Sequence, residues 1–568
     1  MSVGKKILIG LLILIVLGGV AFQVFVTRYV PGMARERLND VIVKGSDSLY
    51  TFEVGKFDLG FWGGSLDIAD LHIKIDSVRY KKLEKENRLP PLTFELNLPS
   101  ASVEGIGIRA LIFSKKIDIR QINFDSADVK LARHFKTTDT IEQSDEPLWK
   151  LIQPKIKSIR VGNVLCGNLK IKYQNIDSAK GFHWQFDKTN ILFSDIRVDS
   201  VSAADSTRLL FAKNIVLKAA DIKMKTPDAL YNLEAKEIQY TSSQRTMEVK
   251  QFTFTPAVSN QQFINYFGMQ HEIYTLKMPS IIFKNFQLPR WINNNRLLVD
   301  TMELASPSVA IYLDRHAKPF TGSKKGKYPH QLLLKAPFAI NIKRIKATDA
   351  TLTYTETNNL NNLTGKLNFN SMSGVIDNVT NDPKAIAKNS DCVVDIRGNA
   401  MKTGKIHTVF HFNLADKSGT FRVNSTITNI DAPQMKPLFI AMTSVEVQSF
   451  NMKRLDYTVS GNENAATGNL SMQYDNMDIL LNKVEADKSL NKKGLFSFLA
   501  NRLVIYKENP MKDDPERKAE NITVQRDATR SFFNLVWKTM FTAAGEIVLR
   551  PVALRKIEKK KQRAANAK

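Results

Sequence analysis

Residues 65–75 read Ser-Leu-Asp-Ile-Ala-Asp-Leu-His-Ile-Lys-Ile. Apolar side chains fall at Leu66 and Ile68, skip two positions, and resume at Leu71, Ile73 and Ile75. Alternation with period two marks a β-strand with one buried face. The slip would send the second half of the apolar set to the other face unless the chain bulges or turns a corner there. The same slipped pattern recurs at Ile122, Phe124, Ala127, Val129 and Leu131, and again at Ile215, Leu217, Ala220, Ile222 and Met224. Two further copies are Met302, Leu304, Pro307, Val309, Ile311 and Ile345, Ala347, Ala350, Leu352, Tyr354. Their uneven spacing excludes a solenoid of fixed repeat length. The copies describe strand pairs or bent strands added to one sheet with a single apolar face. The expected fold class is mainly β: a long, curled antiparallel sheet forming a groove, with one N-terminal transmembrane helix and a C-terminal amphipathic helix.

The composition is that of a folded chain of several domains: 568 residues, 43% apolar and 24% charged. Lysine and arginine number 81 against 56 acidic residues, a formal charge of +25. Such a balance fits nucleic acid or an anionic membrane surface. Many lysines, however, alternate with apolar residues, as in Lys170-Ile171-Lys172 and Ile222-Lys223-Met224-Lys225. These read as the solvated face of a sheet and as protection of its edges. No nucleic-acid-binding signature is present, and nucleic acid is not expected as a partner. The two cysteines, Cys166 and Cys392, make neither a disulfide framework nor a metal site. A single bridge between them stays open.

Residues 7–26 (ILIGLLILIVLGGVAFQVFV) carry one polar side chain, Gln23. Twenty apolar residues match the thickness of a bilayer core. Lys5 and Lys6 precede them and place the N-terminus in the cytoplasm, although Arg28, Arg35 and Arg37 follow on the other side. The alternative is a cleavable signal peptide with Gly19-Val20-Ala21 as its cleavage site, but the apolar run continues through Phe22, Val24, Phe25 and Val26. Either way the body is exported.

The expected organisation is a cytoplasmic tip at 1–6, a span at 7–26, an N-terminal β-groove region at 27–318 and a linker at 319–329. A second β region at 330–490 and a C-terminal helical segment with a basic tail at 491–568 complete it. The linker is Pro-Phe-Thr-Gly-Ser-Lys-Lys-Gly-Lys-Tyr-Pro, without an apolar period. Residues 154–173 read as a strand pair with turn residues in the middle. Residues 260–274 are aromatic and less regular, and suit a helix. Residues 529–549 read as an amphipathic helix with Phe532, Phe533, Val536, Trp537, Met540 and Phe541 on one face. Residues 550–568 hold eight basic side chains and one acidic, a charge of +7. This helix either plugs the end of the sheet or lies on an anionic membrane.

No phosphate-binding loop, nucleophile elbow or zinc-protease motif occurs. His407 and His411 share a strand face, but no third ligand accompanies them in sequence. No catalytic residue, metal or cofactor is expected, and the weight shifts from an enzyme to binding or structure. The working surface is then the apolar face, with Leu66, Ile68, Leu71, Ile73, Ile122, Phe124, Val129, Ile215, Leu217, Ile222, Ile345 and Leu352 as its candidate residues. Two coverings fit the pattern equally: an open channel that holds lipid acyl chains, or a closed sandwich whose faces cover each other.

Residues 54–73 (VGKFDLGFWGGSLDIADLHI), placed after a single apolar span, resemble the start of AsmA-like proteins of Gram-negative envelopes. Residues 430–438 (IDAPQMKPL) and 468–479 (GNLSMQYDNMDI) resemble the C-terminal region of that family. The resemblance implies a single-pass inner-membrane protein whose bulk is periplasmic. It implies a long β-groove related to bridge-like lipid-transfer proteins, phospholipid as the bound partner, and a role in outer-membrane biogenesis. No catalytic residue carries over. The alternative is an envelope scaffold or assembly factor with a closed core that binds proteins through its sheet edges.

Overall fold

The computed structural model describes residues 46–60, 64–133, 156–175, 183–431, 445–484 and 505–551, apart from positions 87, 91, 108, 109, 111, 112, 206, 207, 210 and 360; it also describes 43, 434–436, 439, 490–492 and 555. The expected span at 7–26, the acidic stretch at 137–146 and nearly all of the basic tail lie outside these residues. Among the described residues no helix is long and apolar enough to cross a membrane.

Strand makes up 61% of the structure and helix 15%, so the class is mainly β. Of the 22 strands described, 21 join one mixed sheet, and the short β21 (Leu490–Lys492) pairs only with the end of its neighbour, β20 (Ala465–Val484). The chain divides into two compact units, 1–253 with 282–298, and 254–281 with 299–568.

The first unit opens with β1 (Tyr50–Gly60), β2 (Ser65–Ile75), β3 (Leu92–Ile106), β4 (Lys116–Asp125) and β5 (Asp128–Arg133). Next come β6 (Ser158–Asn175), β7 (His183–Val198), β8 (Ala212–Lys225), β9 (Tyr231–Thr241) and β10 (Thr246–Pro256). Each pairs with its neighbours in chain order, except that β4 and β5 together act as one bent strand. Both pair antiparallel to β3 and parallel to β6. The stretch read as a strand pair at 154–173 is therefore a single strand, β6, kinked in its middle.

The kink explains the slipped pattern. In β2 the second skipped position, Asp70, has a left-handed backbone (φ 53°), and so do Ser126 between β4 and β5 (φ 58°) and Asn168 in β6 (φ 50°). Each adds one residue that turns the strand and returns the next side chain to the original face. Asp, Asn and Ser suit this because a short polar side chain tolerates the left-handed region that bulky residues avoid. The corners line up across the sheet. Ser126 N–H donates to Gly167 O (2.9 Å), Lys170 N–H to Ala127 O (2.8 Å), and Asn168 N–H to the Asn190 side-chain oxygen (3.0 Å). Lys188 in β7 and Asp221 in β8 continue the crease, both with positive φ. On β1 the crease meets Gly55, where a Cβ would sit 3.0 Å from that of Asp70. In β8 the corner falls two residues later than the sequence pattern placed it, at Asp221, so Ala219 and Ile222 are buried and Ala220 is half-buried.

The second unit contains β11 (Ile273–Lys284), β12 (Arg296–Ala305), β13 (Ser308–Asp314), β14 (Ala339–Thr357), β15 (Thr364–Thr380) and β16 (Asp391–Ala400), with β11 and β12 running across the unit boundary. It continues with β17 (Gly404–Asn413), β18 (Phe421–Asp431), β19 (Val445–Gly461), β20 (Ala465–Val484), β21 (Leu490–Lys492) and β22 (Lys518–Gln525). Here β13 pairs antiparallel to β11 and parallel to β14, with corners at Ser306 (φ 46°) and Asp349 (φ 52°). This repeats the bent-strand arrangement of β4, β5 and β6. From β14 to β20 each strand pairs antiparallel with the next, and β22 closes on β20. The expectation of a purely antiparallel sheet is thus corrected. Parallel neighbours need a long connection, and the 24 residues between β5 and β6 and the 24 between β13 and β14 supply it; side-chain periodicity carries no sign of strand direction.

A helix forms at Asn260–Phe267, capped by Ser259 and Gln262 in a reciprocal box and ended by left-handed Gly268. Residues 319–329 belong to the second unit and are tied down within it. Lys324 N–H donates to Ala528 O (2.7 Å), its ammonium pairs with Glu272 (2.6 Å), and Tyr328 is fully buried.

Candidate functional site

In the first unit the apolar face is covered. Of the candidate residues, Leu66, Leu71, Ile73, Ile122, Phe124, Ile215 and Ile222 are buried, while Ile68, Val129 and Leu217 are half-buried. Leu71, Ile73, Ile122, Phe124 and Ile215 join Leu98, Ile119, Val161 and Val164 in one core, against which Ile68 and Val129 pack. The helix Ser77–Lys85 contributes Leu83 to that core; most of the rest comes from strands, with Leu49, Leu89 and Ile156 added from the connections.

At one end of these strands lies a cavity of about 570 Å³. Its apolar lining is Ile75, Phe94, Leu131, Tyr173 and Met224. Register makes Phe94, Leu131 and Tyr173 cross-strand neighbours on one face. The next row, Glu95, Lys130, Lys172, Gln185, Lys223 and Glu234, is in register on the opposite face. Both rows line the cavity because it sits at the strand ends, where the two faces meet at a rim.

In the second unit the face opens. The row Leu276, Val309, Leu352, Phe369 is half-buried throughout. So is the start of the row Ile345, Ile376, Val394, Phe410, Val423, Val459, whose last two members are only 2% exposed. The change follows the C-terminal helix, Phe532–Val548, which packs on β20 and β22. Its buried side is Phe532, Leu535, Thr539, Ala543 and Ile547. Phe533 is 58% exposed, and Val536, Trp537, Met540 and Phe541 are half-buried at the flank. Of the expected face, Phe532 is buried, Val536 and Met540 pack against the core, and Phe533 is exposed. Beneath the buried side Gly468 leaves room for Thr539: a Cβ there would lie 3.0 Å from Thr539 Cγ2. The Thr539 hydroxyl stays satisfied by donating to Leu535 O (2.9 Å), and the Tyr457 hydroxyl donates to Val536 O (3.0 Å).

Polar groups inside the second unit are structural in their geometry. Arg315 forks onto Glu356 (2.8 and 3.0 Å) and also reaches Gln270 (3.2 Å). Burial, together with the Glu356 carboxylate, raises the pKa of the Tyr354 hydroxyl. His330 is 2% exposed, stacks on Phe412, and has no hydrogen-bond partner at either ring nitrogen. Burial lowers its pKa to about 4. His407 and His411 each meet their own carboxylate, Asp395 (2.9 Å) and Asp391 (2.8 Å). Among the described residues no three potential metal ligands gather. Cys166 and Cys392 are free thiols, one in each unit, and burial pushes both up to about 12. The reactive thiolate is suppressed at both.

The sequence reading missed the charged rim at the cavity. It treated Lys172 and Lys223 as ordinary solvated lysines, since cross-strand register is not written in local periodicity. Compared with protein-family models and with curated proteins, the chain finds no match.

Proposed function

We propose that this is a membrane-anchored periplasmic protein that binds phospholipid along the apolar face of its sheet and transfers it in support of outer-membrane biogenesis. The observation that carries this reading is the half-buried apolar row of the second unit, Leu276, Val309, Leu352 and Phe369. A row of large apolar side chains left partly open over several strands suits an acyl chain. The apolar segment at 7–26 and the AsmA-like stretches at 54–73, 430–438 and 468–479 support the same reading. The test is lipid extraction and mass spectrometry of the full-length protein purified in mild detergent. Phospholipid in stoichiometric amount, reduced by Ile345→Asp with Leu352→Asp, is the expected result. Lipid content unchanged by these substitutions would refute it.

A second reading, an envelope scaffold with a closed core, is favoured by one observation. Most candidate residues of the first unit are buried against the chain's own side chains. On that reading the purified protein carries no lipid beyond what surrounds its span.

A further inference from the structure

We infer that the cavity at the strand ends of the first unit is a headgroup site selecting lipids with a net negative, phosphate-bearing headgroup over zwitterionic ones. The inference rests on the lipid-binding reading and names the class of lipid. The rim carries Lys130, Lys172, Lys223 and Lys225 against Glu95 and Glu234, so four positive charges less two negative leave an excess of two. Lys130 and Lys172 are direct cross-strand partners. Like charges in that relation repel, and Glu95 offsets only one of them, pairing with Lys130 at 3.2 Å. Lys223 stands two strands from Lys172, with Gln185 between them, a gap of roughly 10 Å at the usual strand spacing. An anionic phosphodiester between them would relieve the repulsion and accept hydrogen bonds from more than one ammonium.

The apolar half of the lining decides the source of the phosphate. Phe94, Leu131, Tyr173 and Met224 lie at the same opening, so an amphiphile fits with its headgroup at the lysine rim and its chain on the apolar side. A free phosphate has no use for that half.

The experiment incubates the full-length protein with vesicles of equal phosphatidylglycerol and phosphatidylethanolamine, re-isolates it, and measures bound lipid by mass spectrometry. Enrichment of phosphatidylglycerol by roughly tenfold is expected at low ionic strength, shrinking in high salt. The neutral variant Lys172→Gln/Lys223→Gln/Lys225→Gln should abolish the enrichment while total lipid stays constant. Glu95→Gln/Glu234→Gln should increase it, and this opposite sign separates selectivity from misfolding. Glycerol phosphate should not compete; competition at the lipid's own concentration would overturn the amphiphile assignment. Bound lipid in vesicle proportion, unmoved by either variant, overturns the headgroup site alone. No bound lipid at all overturns the lipid-binding reading beneath it.

Discussion

Replacing Phe532 by alanine tests whether the C-terminal helix is a packed lid on the second unit. The ring is 3% exposed and meets Phe421 (centroids 4.8 Å), Tyr328 (5.0 Å) and Phe412 (5.6 Å). A buried phenylalanine removes on the order of 150–250 Å² from water, which at about 25 cal/mol per Å² is about 4–6 kcal/mol. Core Phe→Ala substitutions cost about 3–5 kcal/mol, the spread reflecting how far the walls collapse. Four aromatic rings interlock here, counting Phe532 itself, and resist collapse, so about 4 kcal/mol is expected. Hydrogen exchange of the amides in 532–548 reads this directly: protection should fall by about a thousandfold. Phe533→Ala is the control. Its ring is 58% exposed, and the effect should stay within about 0.5 kcal/mol. Acceleration below about tenfold for Phe532→Ala, or equal effects at both positions, would refute the packing assigned to this helix.

Three further outcomes follow from the geometry. Asn168→Val should destabilise the first unit by about 1–2 kcal/mol in urea unfolding, because a β-branched residue is strained at positive φ, whereas Asn168→Gly should be neutral or better. Glu356→Gln should lower stability by up to about 3 kcal/mol, measured as a shift in thermal midpoint, since it leaves the half-buried Arg315 guanidinium without its counter-charge. His330, held at about 4 by burial despite Asp416 and Glu463 nearby, takes up its proton more readily unfolded, near pH 6.5. Its contribution is complete above about pH 6.5 and is lost as pH falls toward 4, by up to about 3 kcal/mol. A His330→Phe variant should show a flatter fall in urea midpoint between pH 7 and 4.5, and parallel curves would count against the burial argument.

Strand positions and the buried side of most strands were legible because period-two alternation depends only on backbone pleat. The corners at Asp70, Ser126, Ser306 and Asp349 were legible as slips, and their residue types fit the left-handed backbone found there, whereas the corner at Asn168 read as a turn between two strands and the one at Asp221 was placed two residues too early. Strand direction was not legible. The parallel pairing of β4 and β5 with β6, and of β13 with β14, depends on long connections whose path no local pattern records. The helix face was legible in part: Phe532 is buried and Val536 and Met540 pack against the core, but Phe533 is exposed. Amphipathicity ranks side chains by hydrophobicity and so passes over Thr539, which is buried where Gly468 leaves room beneath the helix. The charged rim at the cavity emerged only from register, which places Lys130 beside Lys172 although they are far apart in sequence.

The left-handed corners also bear on how the proposed lipid-binding face survives in a mixed sheet. Without Asn168, the residues of β6 beyond the kink would turn Tyr173 outward and Lys172 inward, exchanging the two rows that line the cavity. Because β4–β5 is kinked at Ser126 in register with Asn168, both strands make the correction together and their parallel pairing continues past the corner. One residue added to each of two adjacent strands thus preserves the hydrogen-bond ladder and the apolar face at the same time. A deletion of Asn168 alone would keep every apolar side chain in the sequence and still reverse the chemistry of the rim, placing ammonium groups where the acyl chain is proposed to lie. Face continuity, more than strand direction, is therefore the property on which the proposed function depends.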